Sequence, residues 1–213
     1  FLIFVPLALF LALSEFVLRV YLSRNMFYDV EMSRYALTLK VDSPNSLISH
    51  HHRPSSQATL MGVSIRTNAD GLRDDEYPVA KGDRRRIVFL GDSLTLGWGV
   101  EKEQTFEHLL EGRLNAIKPT EIINLGSGNY NTTQEVNLFI DKGAKYDPDQ
   151  VVLFYFINDA EPVPQKSRFP GLGNYRIVTF YWSRIKALKA RLSDSTGFQE
   201  YYSALYRDGS EGW

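Results

Sequence analysis

The chain has 213 residues, of which 44% are hydrophobic and 23% are charged, and its formal net charge is -1 at pH 7. These proportions are ordinary for a globular protein that buries one sizeable core. The near-neutral charge argues against a nucleic-acid-binding protein, which would carry a clear basic excess. The absence of cysteine excludes disulfides and thiolate metal sites.

The N-terminal segment is the most apolar part of the chain. Residues 1–13 (FLIFVPLALFLAL) contain no polar side chain, and apolar character resumes after Ser14 and Glu15 as far as residue 22. A helix that spans a bilayer needs about 20 apolar residues, so residues 1–22 are predicted to form a transmembrane or signal-anchor helix. A buried helix is the alternative. Because the run starts at the first residue, we expect this apolar segment to be longer in the complete protein.

Residues 23–85 are predicted to form a linker and lead-in with a short strand or hairpin. Residues 61–68 (MGVSIRTN) alternate in part, as a strand does, and Ala69-Asp70-Gly71 is a turn signal. Three adjacent histidines, His50, His51 and His52, fall in the polar part of this segment. They are predicted to be solvated, because no carboxylate stands at the spacing typical of a metal site.

The most regular pattern lies between residues 86 and 157. It predicts strands at 86–90, 121–125 and 150–157, and helices at 104–117, with Thr105 as N-cap, and at 132–145. The residues predicted to face the core are Phe106, Leu109, Leu110, Leu114 and Ile117 in the first helix and Val136, Phe139, Ile140 and Ala144 in the second. The third strand is almost continuously apolar, which is typical of a parallel strand covered on both faces. The β-α-β-α-β order predicts an α/β fold, a three-layer α/β/α sandwich with a parallel sheet.

The pattern becomes less regular beyond Asp159. Residues 161–175 are rich in proline and glycine and are predicted to form a loop. Residues 178–192 have helical spacing, with basic residues on a solvated face. The residues predicted on the inner face of this helix are Tyr181, Ile185, Leu188 and Leu192.

Small or polar residues follow each of the three predicted strands. Gly91-Asp92-Ser93 follows the first, Gly126-Ser127-Gly128 the second and Asn158-Asp159 the third. Because the carboxyl ends of parallel strands meet at one edge of the sheet, these residues are expected to converge there. Acyl transfer needs a nucleophile and hydrogen-bond donors for the oxyanion. The hydroxyl could be the nucleophile, and the glycine-rich turn and the side-chain amide could be the donors. A helix starting after Ser93 would add its N-terminal dipole.

Structural alternatives exist for each of these residues. Ser93 could simply cap a helix, and Asn158 could close its strand with an Asx turn. The glycines at 126 and 128 could begin a dinucleotide fingerprint, although Asn131 stands where the third glycine would be. We therefore predict no cofactor and no metal.

The blocks Gly91-Asp92-Ser93-Leu94, the Gly128 turn and Asn158-Asp159 resemble the first three blocks of the GDSL, or SGNH, hydrolase superfamily, over about residues 62–160. The resemblance implies a flavodoxin-like fold, with residues 86–213 as a partial hydrolase domain. It implies Ser93 as nucleophile and an oxyanion hole made by the backbone N–H groups of Ser93 and Gly128 and the side-chain amide of Asn158. Asp92 would be a structural partner of the turn.

This sequence departs from the family pattern at three places. Phe156 stands where a glycine usually precedes the Asn-Asp pair by two positions, and the sequence Gly128-Asn129-Tyr130 leaves open whether Gly128 or Asn129 is the donor. The family's final Asp-x-x-His block, which supplies the base, does not occur after Asn158. The four histidines are His50, His51, His52 and His108, all before the third strand. We therefore expect the chain to be a fragment of a longer protein, and residues 1–213 to be inactive.

The resemblance implies a membrane-anchored serine esterase whose catalytic domain lies outside the cytoplasm, in the periplasm or at the cell surface. Its expected substrate is a small-molecule, lipid or carbohydrate ester, such as an acyl or acetyl group on a carbohydrate or lipid. The alternatives are an O-acetyltransferase of a cell-surface polysaccharide and a non-catalytic carbohydrate-binding or assembly protein. Nucleic acid is not an expected partner.

Overall fold

The computed structural model describes residues 4–163 and 175–192, and contacts within the chain divide it into two compact units. The described part of one unit is residues 4–38 with 175–192, and that of the other is residues 39–163. The described helices are α1 (Phe4–Arg24), α2 (Tyr28–Thr38), α3 (Phe106–Asn115), α4 (Thr132–Leu138) and α5 (Arg176–Leu192). The described strands are β1 (Lys40–Asp42), β2 (His50–His52), β3 (Gln57–Leu60), β4 (Val63–Arg66), β5 (Arg85–Leu90), β6 (Thr120–Asn124) and β7 (Gln150–Leu153).

The first unit consists of α1, α2 and α5. Within α1, the stretch Phe4–Leu22 has a mean hydropathy of 1.8 and largely exposed side chains. It is therefore long and apolar enough to cross a membrane, a property that a signal sequence shares. A charged pair interrupts it, because Arg19 Nε lies 2.8 Å from Glu15 Oε1, one helical turn away.

Helix α5 contacts α1 and α2, but not through the side predicted from the sequence. Tyr181, Ile185 and Leu188 were expected to face inward, and all three are exposed. Its contacts include the backbone N–H of Ile177, which donates to Glu15 of α1, and the ring of Phe180, which packs against Phe27 between α1 and α2. The expected inner side chain of Leu192 lies outside the described part of the chain, as does most of the predicted loop at 161–175.

The second unit is built on a parallel sheet in the order β6-β5-β7. The central strand β5 pairs with β6 at Ile87–Ile122 and with β7 at Ile87–Gln150. Alternate residues of β5 enter two different apolar clusters, as the two-residue period of a strand requires. Val88 and Leu90 pack with Ile123, Leu125, Leu138 and Tyr146, and Ile87 and Phe89 pack with Ile122, Leu114, Val152 and Phe154. The predicted parallel α/β arrangement is therefore present.

The lead-in to this sheet forms two antiparallel hairpins, β1–β2 and β3–β4. The predicted strand at 61–68 is only partly strand, because Met61 and Gly62 have φ angles of 51° and 79° and form the two-residue turn of the second hairpin. Positive φ at both positions is the signature of a type I′ turn. The predicted turn at 69–71 is present, with Gly71 at φ 80° and the Asn68 side chain accepting from Leu72 N at 2.8 Å.

The prediction that the three histidines are solvated was wrong for His52, which is buried, and His50 and His51 are half-buried. The three histidines form β2, and His52 is only 5% exposed, with Nδ1 lying 3.2 Å from the carbonyl oxygen of Gly71. Burial lowers the pKa of His50 and of His52 to about 3, and the positive charge of Lys40 adds to this effect. The histidines of β2 can be buried within a polar segment because antiparallel pairing with β1 satisfies the hydrogen-bonding groups of their backbone.

The predicted inner faces of both crossover helices were largely wrong. In the segment predicted as the first helix, Leu114 reaches the sheet, and Phe106 stacks on Phe89 although it is partly exposed. Leu109, Leu110 and Ile117 are exposed. In the segment predicted as the second helix, Phe139 packs on the core, while Val136, Ile140 and Ala144 are exposed. One cause is a change of helical period after α4, because Phe139–Gly143 is a π turn and Ala144–Tyr146 is a 3-10 turn.

The third strand is shorter than predicted and is not covered on both faces within the described residues. Strand β7 ends at Leu153, and Val151 and Leu153 are exposed. Extended backbone continues to Phe154, whose N–H donates to Leu90 O at 3.0 Å. Val152 and Phe154 pack in the cluster of Phe89 and alternate with Val151 and Leu153, so one face of the strand is covered and the other is exposed.

Candidate active site at the sheet edge

The turns that follow β5, β6 and β7 meet at one edge of the sheet. Ser127 N donates to Gly91 O at 3.1 Å, which joins the second turn to the first. Asn158 Nδ2 donates to Tyr130 O at 2.8 Å, which joins the third turn to the second. The structure thus brings the segments that carry Ser93, Gly128 and Asn158 into one neighbourhood.

The turn that carries Ser93 is shaped by its neighbours. A Cβ at Gly91 would overlap the hydroxyl of Thr95, so a side chain does not fit there. Asp92 is buried, and its Oδ1 accepts from Leu94 N at 2.8 Å, which closes a turn around Ser93. The Ser93 hydroxyl lies 3.5 Å from Asp92 Oδ2 and is partly exposed.

No helix starts directly after Ser93, contrary to the expectation of a helix dipole at this residue. Residues 92–99 form a series of turns, in which Leu96 N donates to Asp92 O and Trp98 N donates to Ser93 O, both at 2.9 Å. Helix α3 begins only at Phe106. Its N-cap position is Thr105 as predicted, but the Thr105 hydroxyl donates to Lys102 O instead of capping the helix. Any stabilisation of an oxyanion here would therefore come from individual N–H groups.

The second turn has the geometry of a type II β-turn. Tyr130 N donates to Ser127 O at 3.2 Å, and Asn129 at the third position has a φ of 65°, while Gly128 at the second position is not in the positive-φ region. Asparagine tolerates this left-handed conformation better than most residues. Gly128 is buried and Asn129 is exposed.

The lead-in hairpin β1–β2 contacts this turn, which sequence reasoning did not find. Lys40 Nζ donates to Gly128 O at 2.7 Å, and the Tyr130 hydroxyl donates to His50 O. The imidazole of His50 meets the Tyr130 ring edge-on at 5.1 Å between centroids. Because a trans peptide points its C=O and N–H in opposite directions, the Lys40 contact fixes the Asn129 N–H on the side away from Lys40. Burial lowers the pKa of Lys40 to about 7.

The third turn is a short 3-10 segment, Ile157–Ala160, which holds Asn158. The Asp159 carboxylate accepts from the backbone N–H of Phe156 and closes this segment. Phe156, the residue that stands in for a glycine of the family pattern, is exposed.

Three carboxyl groups lie together behind these turns. Glu135 on α4 is 1% exposed, and its pKa is raised to about 8, first by burial and then by the negative charges of Asp159 and Asp92. The pKa of Asp159 is raised by burial and by Asp92, and the N–H of Phe156 opposes the shift. At neutral pH Glu135 is therefore mostly protonated, which limits the repulsion within the cluster. Among residues 4–163 and 175–192, no group of three or more such side chains has metal-binding geometry.

The described residues place no histidine in hydrogen-bonding contact with Ser93. His50 and His52 lie on the hairpin β2, where they contact Tyr130 and Gly71. The turns that carry Ser93, Gly128 and Asn158 thus meet at one edge of the sheet, and no base of the kind that activates a serine is among the described hydrogen-bond partners of the Ser93 hydroxyl.

No protein-family model matches this chain, and no curated protein matches it.

Proposed function

We propose that the chain is a serine ester hydrolase of the GDSL type, held at a membrane by α1, with a three-layer sandwich of the flavodoxin-like kind. Its substrate is an acyl or acetyl ester of a carbohydrate or lipid, and its active domain lies outside the cytoplasm. The observation that carries the proposal is the convergence of Ser93, the Gly128 turn and Asn158 at the carboxyl edge of a parallel sheet. Ligands and reacting groups of open α/β sheets are found at this edge.

In the proposed reaction, Ser93 Oγ attacks the ester carbonyl and its proton passes to a base. The carbonyl oxygen becomes an oxyanion, held by the N–H of Ser93, the N–H of Gly128 or Asn129, and the amide of Asn158. Collapse of the intermediate breaks the ester bond, the alcohol leaves with a proton, and Ser93 carries the acyl group. Water then releases the acid. A sugar hydroxyl in place of water would make the same chemistry an O-acetyltransferase.

The test is covalent labelling by a fluorophosphonate, which phosphonylates an activated serine. Because the described residues place no base at Ser93, the reaction is run with and without imidazole in solution as a substitute base. We expect imidazole-dependent labelling that Ser93→Ala abolishes and Asn158→Ala slows, on the order of 100-fold for a lost oxyanion donor. Ser127→Ala is the matched control, because Ser127 is a buried serine on the neighbouring turn, and it should label like the wild type.

A second candidate is a non-catalytic carbohydrate-binding or assembly protein. The observation that favours it is that the only hydrogen bond of the Ser93 hydroxyl within the described part of the chain goes to its neighbour Asp92. The same experiment separates the two. A folded wild-type protein that stays unlabelled in imidazole, or labelling that persists in Ser93→Ala, would refute the hydrolase and leave this second candidate.

A further inference from the structure

Helix α5 presents a stripe of exposed apolar side chains. Its exposed members are Val178, Tyr181, Trp182, Ile185 and Leu188. At about 100° per residue they fall within one sector of about 120° on the helix. Tyr181 is 58% exposed and Ile185 is 46% exposed, values unusual for large apolar side chains clustered on one face of a helix in water.

The side of α5 that contacts the rest of its unit is a different one. Ile177 N donates to Glu15 Oε2 at 2.8 Å, and the Phe180 ring packs edge-on against Phe27 at 5.8 Å. The Arg184 guanidinium lies over both rings, 5.5 Å from that of Phe27 and 5.1 Å from that of Phe180. Residues 177, 180 and 184 share one narrow sector that borders the apolar stripe, and the stripe residues are exposed with these contacts in place. The stripe is therefore available while α5 stays attached to α1.

The attachment places the start of α5 beside an apolar helix. Ile177 meets α1 at Glu15, which lies within the stretch Phe4–Leu22 that is apolar enough to cross a membrane. With 17 residues, α5 is shorter than the roughly 20 needed to span a bilayer. Tyrosine and tryptophan, which the stripe contains, are the residues enriched at the boundary between lipid headgroups and acyl chains.

We propose that α5 is an interfacial membrane helix, which lies in the boundary between headgroups and acyl chains with its apolar stripe toward the lipid. The inference rests on the proposed insertion of α1 in the membrane, but it is independent of the proposed hydrolase activity. Its occupant is the bilayer, because α1, to which α5 is hydrogen-bonded, is itself an apolar surface of the same unit.

Because the chain has no cysteine, single cysteines carrying a nitroxide label can be placed without removing native ones. The full chain is reconstituted in vesicles of phosphatidylcholine and phosphatidylglycerol, and each label is tested for collision with oxygen, which enriches in lipid, and with a water-soluble nickel chelate. Labels at 181, 185 and 188 report the stripe. A label at 179 reports another side of α5, and one at 9 reports the exposed apolar surface of α1.

We expect labels 181, 185 and 188 to collide at least threefold more with oxygen than with the chelate, and label 179 to show the reverse. If label 9 is in lipid while the stripe labels meet the chelate, the interfacial helix is refuted and the α1 anchor stands. Immobile stripe labels that meet neither reagent would show a protein partner or a second copy, and would also refute it. If label 9 is not in lipid, the anchor is refuted and the inference with it.

Discussion

The buried arginine of the central strand provides the sharpest test of the fold around the candidate site. The Arg86 side chain is 0% exposed, and its Nε lies 2.6 Å from Glu121 Oε2 on β6. Its other nitrogens donate to the carbonyls of Val79 (2.8 Å), Tyr146 (3.0 Å) and Pro78 (2.5 Å). One side chain therefore ties β5 to β6, to the lead-in and to the segment after α4. Arg86→Met keeps most of the volume and removes all of these bonds.

The expected cost follows from what the substitution leaves behind. Removing one partner of a buried ion pair costs about 3–5 kcal/mol, because the remaining charge is buried without compensation. Arg84 Nη1 still contacts the other oxygen of Glu121, at 3.0 Å, which moderates this loss. The three carbonyls that lose a donor increase it. We therefore expect Arg86→Met to lower the free energy of unfolding by about 4 kcal/mol, a large share of the roughly 5–15 kcal/mol of a typical domain.

The measurement is urea unfolding of the full chain in detergent micelles, followed by the fluorescence of Trp98 in a background with the other two tryptophans changed to phenylalanine. The matched control is Arg84→Met, because Arg84 contacts the same carboxylate and is 62% exposed; we expect a loss below about 1 kcal/mol. The double variant Arg86→Met/Glu121→Leu should regain a large part of the loss, because no buried charge remains. A loss below about 1 kcal/mol for Arg86→Met, or equal losses for both arginines, would refute the reasoning.

Three further predictions concern the turns at the site. The pKa of Glu135 is about 8 in the folded protein and 4.5 is its ordinary value, so the contribution of this group to stability should fall from pH 4.5 to 8. Glu135→Gln should therefore lose less stability than the wild type between pH 5 and pH 8 in an unfolding assay. The pKa of Lys40 is lowered to about 7, so the contribution of this group to stability should rise from pH 7 to 10.5, and Lys40→Met should reduce the rise in the same assay. A Cβ at Gly126 would overlap the backbone of Thr95 and Leu96, whereas one at Gly112 meets nothing; Gly126→Ala should therefore lower the melting temperature, and Gly112→Ala should leave it unchanged or raise it.

The sheet and the order of its turns could be predicted from the sequence. Strands β5 and β6 lie within one residue of the predicted limits, because short apolar runs between polar turns leave few alternatives. The placement of Ser93 directly after a buried strand follows from the same pattern. The convergence of the three turns follows from parallel pairing, which is a general rule and needs no knowledge of particular contacts.

The contacts made by the lead-in could not be predicted in this way. The bond from Lys40 to Gly128 joins residues 88 positions apart, and no local pattern encodes such a pair. The spacing of apolar residues also failed to predict the buried side of a helix where that side is polar. Gln134 and Glu135 of α4 are buried while Val136 is exposed, because this side of α4 lies against the hydrogen-bonding groups of the turns and hairpin; Gln134 Nε2 donates to Ile48 O at 2.8 Å.

The strand order β6-β5-β7 also sets a sequence of events during synthesis. The central strand β5 is synthesised first of the three. One of its edges can pair with β6, at Ile87–Ile122, only after β6 has been synthesised, and the other can pair with β7, at Ile87–Gln150, only later. Each doubling of the intervening loop adds only about 0.6 kcal/mol to the cost of closing it, so the delay is set by translation more than by entropy. A nascent chain therefore carries a two-stranded sheet with one open edge of β5 until β7 emerges, and this interval is when it is most exposed to misplaced pairing.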